Sequence, residues 1–557
     1  MNTTMPVGVS DFKEARENYY LIDKTGFIPA FMKNHKKVTL FTRPRRFGKT
    51  LTMSMLEYFF SIDKKEASVD LFTGLAVDRA GEEVMKQQST YPVIFLTLKN
   101  FSARSWKDMY DAIQLLMQQV FSTFSYLLDS AALLPSDKEL IQRFLYQKAS
   151  PSEYANSLQL LSGFLYTHYK VQPIILIDEY DAPLQNAYSQ GFYDDAVLFW
   201  RGWFNAALKD NPSLHFAVLT GVLRIAKESI FSGMNNLAVY STLNDTYGDV
   251  FGFTSDEVRQ MAHDVGREDK IDEIKHWYDG YSFGHTDIYN PWSVICYFDE
   301  HCKPAPYWMN TSSNSILTDM LHQADQERIE TLQSLMDGKS IPTMMEEGVI
   351  YKHIGEDDTA LYSMMVNTGY LKAVEVANAV SGMTLYEVRI PNEEIKQVYK
   401  REILDNLVQG IRINRFMNFQ LALLHGDGEK MNRLLGDILL KMVSFYDTKQ
   451  PECFYHGLLL GLTCLLEGPV YHVVSNRESG YGRFDMAIFP HKPGLTGVIM
   501  EFKVASSVDE LEIKAQEGLR QIQDKAYSTE FQKRRIQHIW KYGIAFCGKH
   551  VKLVQSI

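Results

Sequence analysis

Three consecutive residues, Gly48-Lys49-Thr50, have the chemistry to grip a phosphate chain. A glycine lets backbone N–H groups approach an anion, a lysine reaches the β- and γ-phosphate oxygens, and a threonine hydroxyl binds Mg2+. They close the segment Arg43-Pro44-Arg45-Arg46-Phe47-Gly48-Lys49-Thr50, so Arg46, Phe47, Gly48, Lys49 and Thr50 are the expected contacts to ATP. Arg43 stands where the usual pattern has its first glycine. A second group, Asp178-Glu179, ends the apolar run Ile174-Ile175-Leu176-Ile177. In phosphoryl chemistry the first acid supports Mg2+, as Thr50 does, and the second orients and polarises the attacking water. A third group is Thr220, followed closely by Arg224 and Lys227. Thr220 would sense the γ-phosphate and Arg224 would offset transition-state charge. The same residues also fit a helix cap and a solvated cation.

A separate cluster lies near the C-terminus. Asp485 sits in Gly482-Arg483-Phe484-Asp485-Met486-Ala487-Ile488-Phe489, and Glu501 and Lys503 sit in Gly497-Val498-Ile499-Met500-Glu501-Phe502-Lys503. The two runs read as a hairpin, and residues two apart on a strand share a face. Two carboxylates can hold a divalent metal that activates water and offsets charge on a scissile phosphate, with the lysine orienting that water. An acid-x-lysine pair alone is also routine on edge strands.

These groups need elements to position them. Val38–Thr42 is a β-rich apolar run, Arg43-Pro44 stops it, and Thr50–Phe60 has helical periodicity. Further buried strands are expected at Val93–Leu98, Ile174–Ile177 and Leu214–Leu219, alternating with helices at 106–170 and 195–209. Continuous apolar strands alternating with helices indicate a parallel sheet covered on both faces, whose carboxyl edge gathers the strand ends. Residues 255–345 read as mostly helical and 346–392 as short strands, with helix again at 393–445. A final unit has a helix at Glu452–Leu466, strands at 470–474, 483–489 and 496–503, a helix at 508–528 and a strand near 540–546. The expected organisation is an α/β P-loop domain at 1–250, a mostly helical middle region with short strands at 251–445, and an α/β unit at 446–557.

Composition narrows the setting. At 557 residues the chain exceeds one ordinary core. A net charge of −11 means that any nucleic-acid contact is local. The basic runs Lys33–Lys49 and Lys533–Lys552 are the places for it, or are solvated faces. Five scattered cysteines without a paired motif, no leader-like start and no bilayer-length apolar stretch suit a cytoplasmic protein that does not enter a membrane.

Several segments carry a resemblance. Val9-Ser10-Asp11-Phe12, Tyr20-Leu21-Ile22-Asp23-Lys24-Thr25, the Arg43–Thr50 loop, Leu176-Ile177-Asp178-Glu179-Tyr180-Asp181-Ala182-Pro183 and Ile230–Leu237 resemble the AAA-ATPase-like family of prokaryotic proteins. Trp277-Tyr278-Asp279-Gly280-Tyr281 and Tyr289-Asn290-Pro291-Trp292-Ser293 match its next blocks. The resemblance implies an AAA+ or STAND-like ATPase core and treats Arg43 as the family's own variant. It also implies a C-terminal PD-(D/E)XK nuclease-like domain with Asp485, Glu501 and Lys503 in its three named places. By the same resemblance Glu452 is an added metal ligand, and Gln521 and Tyr527 are downstream elements. The implied activity is an ATP-binding and ATP-hydrolysing protein coupled to a nuclease that acts on DNA with Mg2+ or Mn2+. The alternative is a non-catalytic ATP-driven switch whose C-terminal domain only binds nucleic acid or a partner protein. Ring-forming and monomeric relatives both exist, so oligomerisation stays open.

Overall fold

The structure is a computed structural model. It describes the chain apart from residues 1–2, 226–229, 232–233, 309–330, 333, 347, 349–357, 377–383, 408–412, 443–450, 464–465, 467, 469, 480–481, 493 and 526, and the side chains of 402–407, 413–416, 441–442, 451–454, 476–479 and 482. It divides into two compact units, Met1–Ser312 with Ser340–Ile395, and Ser313–Lys339 with Lys396–Ile557.

The first unit is built on five parallel strands: β1 (Val38–Thr42), β2 (Val93–Thr97), β3 (Ile174–Asp178), β4 (Ala217–Gly221) and β5 (Leu237–Tyr240), in the order β2-β3-β4-β1-β5. Every residue of β1, β3 and β4 is buried, which is why they read as unbroken apolar runs. β4 starts and ends later than its apolar run suggested, because its pairing with β1 begins at Ala217 opposite Val38 and runs to Gly221 opposite Thr42. Thr220 is therefore inside the strand. β5 is only half-buried along its length and lacks a comparable signal. The register sets Thr97 opposite Asp178, so the ends of β1, β2, β3 and β4 lie along one edge. The helix α1 (Lys49–Phe60) starts directly beyond β1.

Within 255–345 the expected helix is interrupted. β6 (Phe253–Thr254), β7 (Tyr281–Phe283) and β8 (Thr286–Tyr289) form a small antiparallel sheet. Helices Ser255–Asp264, Ile271–Tyr278 and α2 (Pro291–Asp299) share one core with Met5 and Tyr20 from the N-terminal segment. Pro291 opens α2 at the position where a missing N–H costs least, and the Asn290 side chain caps it through Trp292 and Ser293 N–H groups. β9 (Ile341–Met344), β10 (Lys372–Val376) and β11 (Leu385–Arg389) make a second antiparallel sheet. The helix α3 (Glu393–Leu407) follows.

The second unit carries the helix α4 (Pro451–Thr463) and a mixed sheet of β12 (Tyr471–Ser479), β13 (Gly482–Pro490), β14 (Gly497–Val504), β15 (Ile539–Cys547) and β16 (His550–Ser556). Strand order follows the chain. β14 and β15 are parallel, joined across the helix α5 (Leu511–Asp524), and the other pairs are antiparallel. β16 extends the sheet beyond the last strand expected from sequence.

Arg43 is not solvated. Its side chain is fully buried, with Nη1 donating to the carbonyls of Thr42 (2.9 Å) and Tyr240 (2.8 Å) and Nη2 to that of Tyr247 (3.3 Å). The guanidinium lies 4.7 Å from the Phe283 ring centre and 5.4 Å from that of Phe251. Carbonyl dipoles and ring faces thus offset the cost of burying the cation. Burial pushes its pKa down to about 9, so it remains charged at neutral pH. Arg43→Gly would restore the usual residue of this loop, yet it leaves three carbonyls without a donor and a cavity behind them. We expect the first unit to lose about 3–5 kcal/mol, read as a lower midpoint in urea unfolding followed by tryptophan fluorescence.

Candidate functional site

The loop after β1 turns into α1 through two left-handed residues, Arg46 (φ 71°) and Gly48 (φ 81°). Lys49 is buried, and its Nζ donates to the carbonyls of Arg43 (3.1 Å) and Pro44 (3.0 Å) and lies 3.6 Å from a Glu179 oxygen. The Thr50 hydroxyl donates to Asp178 Oδ2 at 2.7 Å and the Thr220 hydroxyl to Oδ1 at 2.5 Å. Both Asp178 oxygens are therefore fixed by hydroxyls, one from the first turn of α1 and one from β4. Burial, followed by the adjacent Glu179 charge, raises the Asp178 pKa. Glu179 itself holds a left-handed backbone (φ 55°) that a non-glycine residue adopts only under constraint.

The next two residues supply that constraint. Tyr180 Oη donates to the Leu223 carbonyl (2.6 Å) and accepts from Ile225 N–H (3.1 Å). Asp181 Oδ2 accepts from the N–H groups of Val222 (3.0 Å) and Leu223 (2.8 Å). The exits of β3 and β4 are tied together, and Gly221 fits because a Cβ there would lie 2.6 Å from Asp181 and from the Tyr180 ring.

A cavity of about 470 Å³ opens beside this loop. Its lining includes the polar stretch Arg45 to Thr50 with Lys99 and Glu179, and the apolar residues Val9, Leu21, Ile22, Phe253, Met261 and Ile295. Arg46 packs its guanidinium 4.3 Å from the ring centre of Trp292, which also lines the cavity. Charged and apolar lining together suit a ligand with a phosphate chain and an aromatic base. Thr220 and Arg224 are not among the lining residues. Sequence reasoning missed Lys99 and the apolar lining of the cavity. The segments at 9–12, 20–25 and 289–293 were recognisable as blocks, but their apolar residues look like ordinary core until the fold brings them to one cavity.

In the second unit, the β13–β14 ladder ends at Met486 opposite Met500. Beyond it, Asp485 Oδ2 accepts the Phe502 N–H at 2.7 Å, so the carboxylate takes over where a rung would fall. Glu501 is 2% exposed, and its Oε1 takes Lys503 Nζ at 3.2 Å and Gln521 Nε2. Gln521 also donates to Tyr527 Oη (3.3 Å), which donates to the Arg483 carbonyl (2.7 Å). The other Glu501 oxygen is buried and has no hydrogen-bond partner among the described residues. Burial, then the like charge of Asp485, pushes the Glu501 pKa up to about 7. Asp485, Glu501 and Lys503 are thus brought together. Glu452 falls in the first turn of α4, and its side chain lies outside the described residues, as does Lys227. His456 packs edge-on to Phe502 at 5.6 Å and bonds Ser475 Oγ at 2.5 Å, in keeping with a satisfied structural histidine. Tyr278, Tyr281 and Phe283 are buried in the first unit.

Two family models match the chain. Residues 6–231 match a family described as a predicted AAA-ATPase, and residues 450–556 match the PD-(D/E)XK nuclease superfamily. The chain carries an AAA-ATPase-like domain and a PD-(D/E)XK nuclease superfamily domain. It is also 24% identical, over 548 residues, to a protein of Azotobacter chroococcum mcd 1 described as "Uncharacterized protein in vnfD 5'region". That match covers 95% of this chain and 94% of the relative, so the similarity spans both domains and the region between them.

The residues present fit the groups that these families use. In the AAA-ATPase-like domain, a hydroxyl and a carboxylate 2.7 Å apart (Thr50 and Asp178) offer oxygen ligands beside the phosphate-binding lysine. In the nuclease-like domain the partnerless Glu501 oxygen, set beside Asp485, suits a cation. Among the described residues no group of three or more His, Cys, Asp or Glu side chains could hold a metal by itself. No helix among them is long and apolar enough to cross a membrane.

The cause of the Glu501 shift can be tested without any ligand. Asp485→Asn removes the like charge and leaves burial in place. The Glu501 carboxyl should then lose its proton at a lower pH than its wild-type value near 7, while staying above the ordinary glutamate range, as followed by carboxyl-carbon NMR titration.

Proposed function

We propose that this chain is an ATP-hydrolysing protein whose nucleotide cycle governs a metal-dependent nuclease acting on DNA. On the ATPase side, Lys49 and the amides of Arg46 to Thr50 hold the phosphate chain, and the apolar lining residues of the cavity take the base. Thr50 and Asp178 would hold Mg2+, which offsets charge on the phosphates. Glu179 orients the attacking water and accepts its proton, with its carboxylate steered by the rigid Tyr180-Asp181 turn. Thr220 supports this chemistry through Asp178, and Arg224 is assigned to the same strand-end cluster.

On the nuclease side, Asp485 and Glu501 would hold Mg2+ or Mn2+, which acidifies water and polarises a scissile phosphate. Glu452 is assigned as an added ligand. Lys503 holds the attacking water or the phosphate, and Gln521 fixes the Glu501 carboxylate. The observation that carries the nuclease reading is the buried Glu501 carboxylate, which takes Lys503 on one oxygen, has no partner among the described residues on the other, and feels the like charge of Asp485. The free thiols Cys296, Cys302 and Cys547 suit action in the cytoplasm.

The test incubates the purified chain with plasmid, single-stranded DNA and RNA, in Mg2+ or Mn2+, with and without ATP. Lys49→Ala should abolish ATP binding. Glu179→Gln should keep binding and lower turnover by about 10²–10⁴-fold. Asp485→Ala and Lys503→Ala should abolish DNA cleavage and leave ATP turnover intact. Wild-type cleavage by either nuclease-site variant overturns the nuclease assignment. Intact ATP turnover with no cleavage under any condition leaves the non-catalytic switch as the reading.

A further inference from the structure

The residues that make the phosphate loop unusual all engage one module. The Phe47 ring lies 5.1 Å from Tyr281 and 5.3 Å from Phe283. Arg46 packs on Trp292. The Arg45 carbonyl accepts the Trp308 indole N–H at 3.5 Å. Glycines at 46 and 47 would make none of the ring contacts.

The same module holds the start of α3. The Trp308 backbone N–H donates to Glu394 Oε1 at 2.9 Å. Ser293, next to Trp292, donates its hydroxyl to both Glu394 oxygens, at 2.9 and 2.8 Å. Glu394 is fully buried. Beside Tyr281, Gly280 leaves no room for a Cβ against the Pro391 carbonyl. Asn392 donates to the Asp279 carbonyl at 2.8 Å and accepts the Ile395 N–H at 3.0 Å, which caps the helix. The first unit ends at Ile395 and the second resumes at Lys396, so α3 crosses from one to the other. Trp308 itself lies shortly before another crossing, at Ser312.

We infer that Trp308, Ser293 and Glu394 form a link that passes the state of the phosphate loop to the first turn of α3, and through it to the unit that carries the nuclease-like site. The inference rests on the proposed nucleotide site and names the residues through which that site acts at a distance. A buried carboxylate held by a fixed set of donors has discrete arrangements, not a continuum, because losing one donor leaves it unsatisfied. Nucleotide contacts at Arg45 to Phe47 shift Trp308 and Trp292, and these are the residues that deliver or flank the donors to Glu394. Glu394 and Ser293 are positioning residues here and touch no substrate.

Hydrogen–deuterium exchange on the full-length chain tests this, with ADP and a slowly hydrolysed ATP analogue as probes. The peptides to follow cover 43–52, 300–308 and 391–401. In the wild type, nucleotide should protect 43–52 and change exchange at 391–401. Trp308→Phe removes the bond to the Arg45 carbonyl and keeps the ring, and Ser293→Ala removes the hydroxyl. Both should keep protection at 43–52 while the response at 391–401 falls by about tenfold. Protection at 43–52 with no response at 391–401 in the wild type overturns the link alone, as do variants that respond like the wild type. A wild-type loop that neither nucleotide protects overturns the nucleotide site and the link together.

Discussion

A guanidinium with no carboxylate at its hydrogen-bonding nitrogens sits at the centre of the first unit. Arg43 bonds the carbonyls of Thr42, Tyr240 and Tyr247 and lies against Phe251 and Phe283. It thereby joins the end of β1 to the edge strand β5 and to the β7–β8 hairpin. The phosphate loop begins at this residue, so the loop's first anchor is a buried side chain and not a flexible glycine. Lys49 then bonds the Arg43 and Pro44 carbonyls, and the loop closes on itself. A cation buried on three backbone carbonyls fixes where the loop starts, and the positive φ of Arg46 and Gly48 fixes how it turns.

The two acidic centres are prepared in different ways. Asp178 is flanked by two hydroxyl donors, which favour its ionised form against the cost of burial. Among the described residues Glu501 has donors on one oxygen, and Asp485 opposes its charge. One centre is internally compensated and the other holds unspent negative charge. Both lie where a ladder stops and a side chain replaces or extends its hydrogen bonding, at the end of β3 for Asp178 and, for Glu501, within β14 where its pairing with β13 stops.

The core of this design was legible in the sequence where burial was complete. β1 and β3 appear as unbroken apolar runs ending in chemically distinctive residues, and β13 with β14 shows its alternation around Asp485, Glu501 and Lys503. Half-buried pieces were not legible. β5 has no fully buried position, and the β7–β8 hairpin has strands of three and four residues set within helical surroundings. The cavity walls escaped for another reason: Val9, Ile22, Phe253 and Ile295 carry no local signal of a shared surface, because only tertiary contact creates it. Arg43 reads as part of a basic run, and nothing in its neighbours announces that it is interior.

The first unit is discontinuous in the chain, since residues 340–395 pack with 1–312. A ribosome delivers the sheet, the phosphate loop and the hairpin long before it delivers Pro391, Asn392 and Glu394. The Ser293 hydroxyl and the Asp279 carbonyl must therefore wait for partners made about a hundred residues later. Completion of the ATPase-like unit is thus tied to synthesis of the helix that leads into the second unit, and a chain cut after residue 231 would leave the cavity without Phe253, Met261, Trp292 and Ile295.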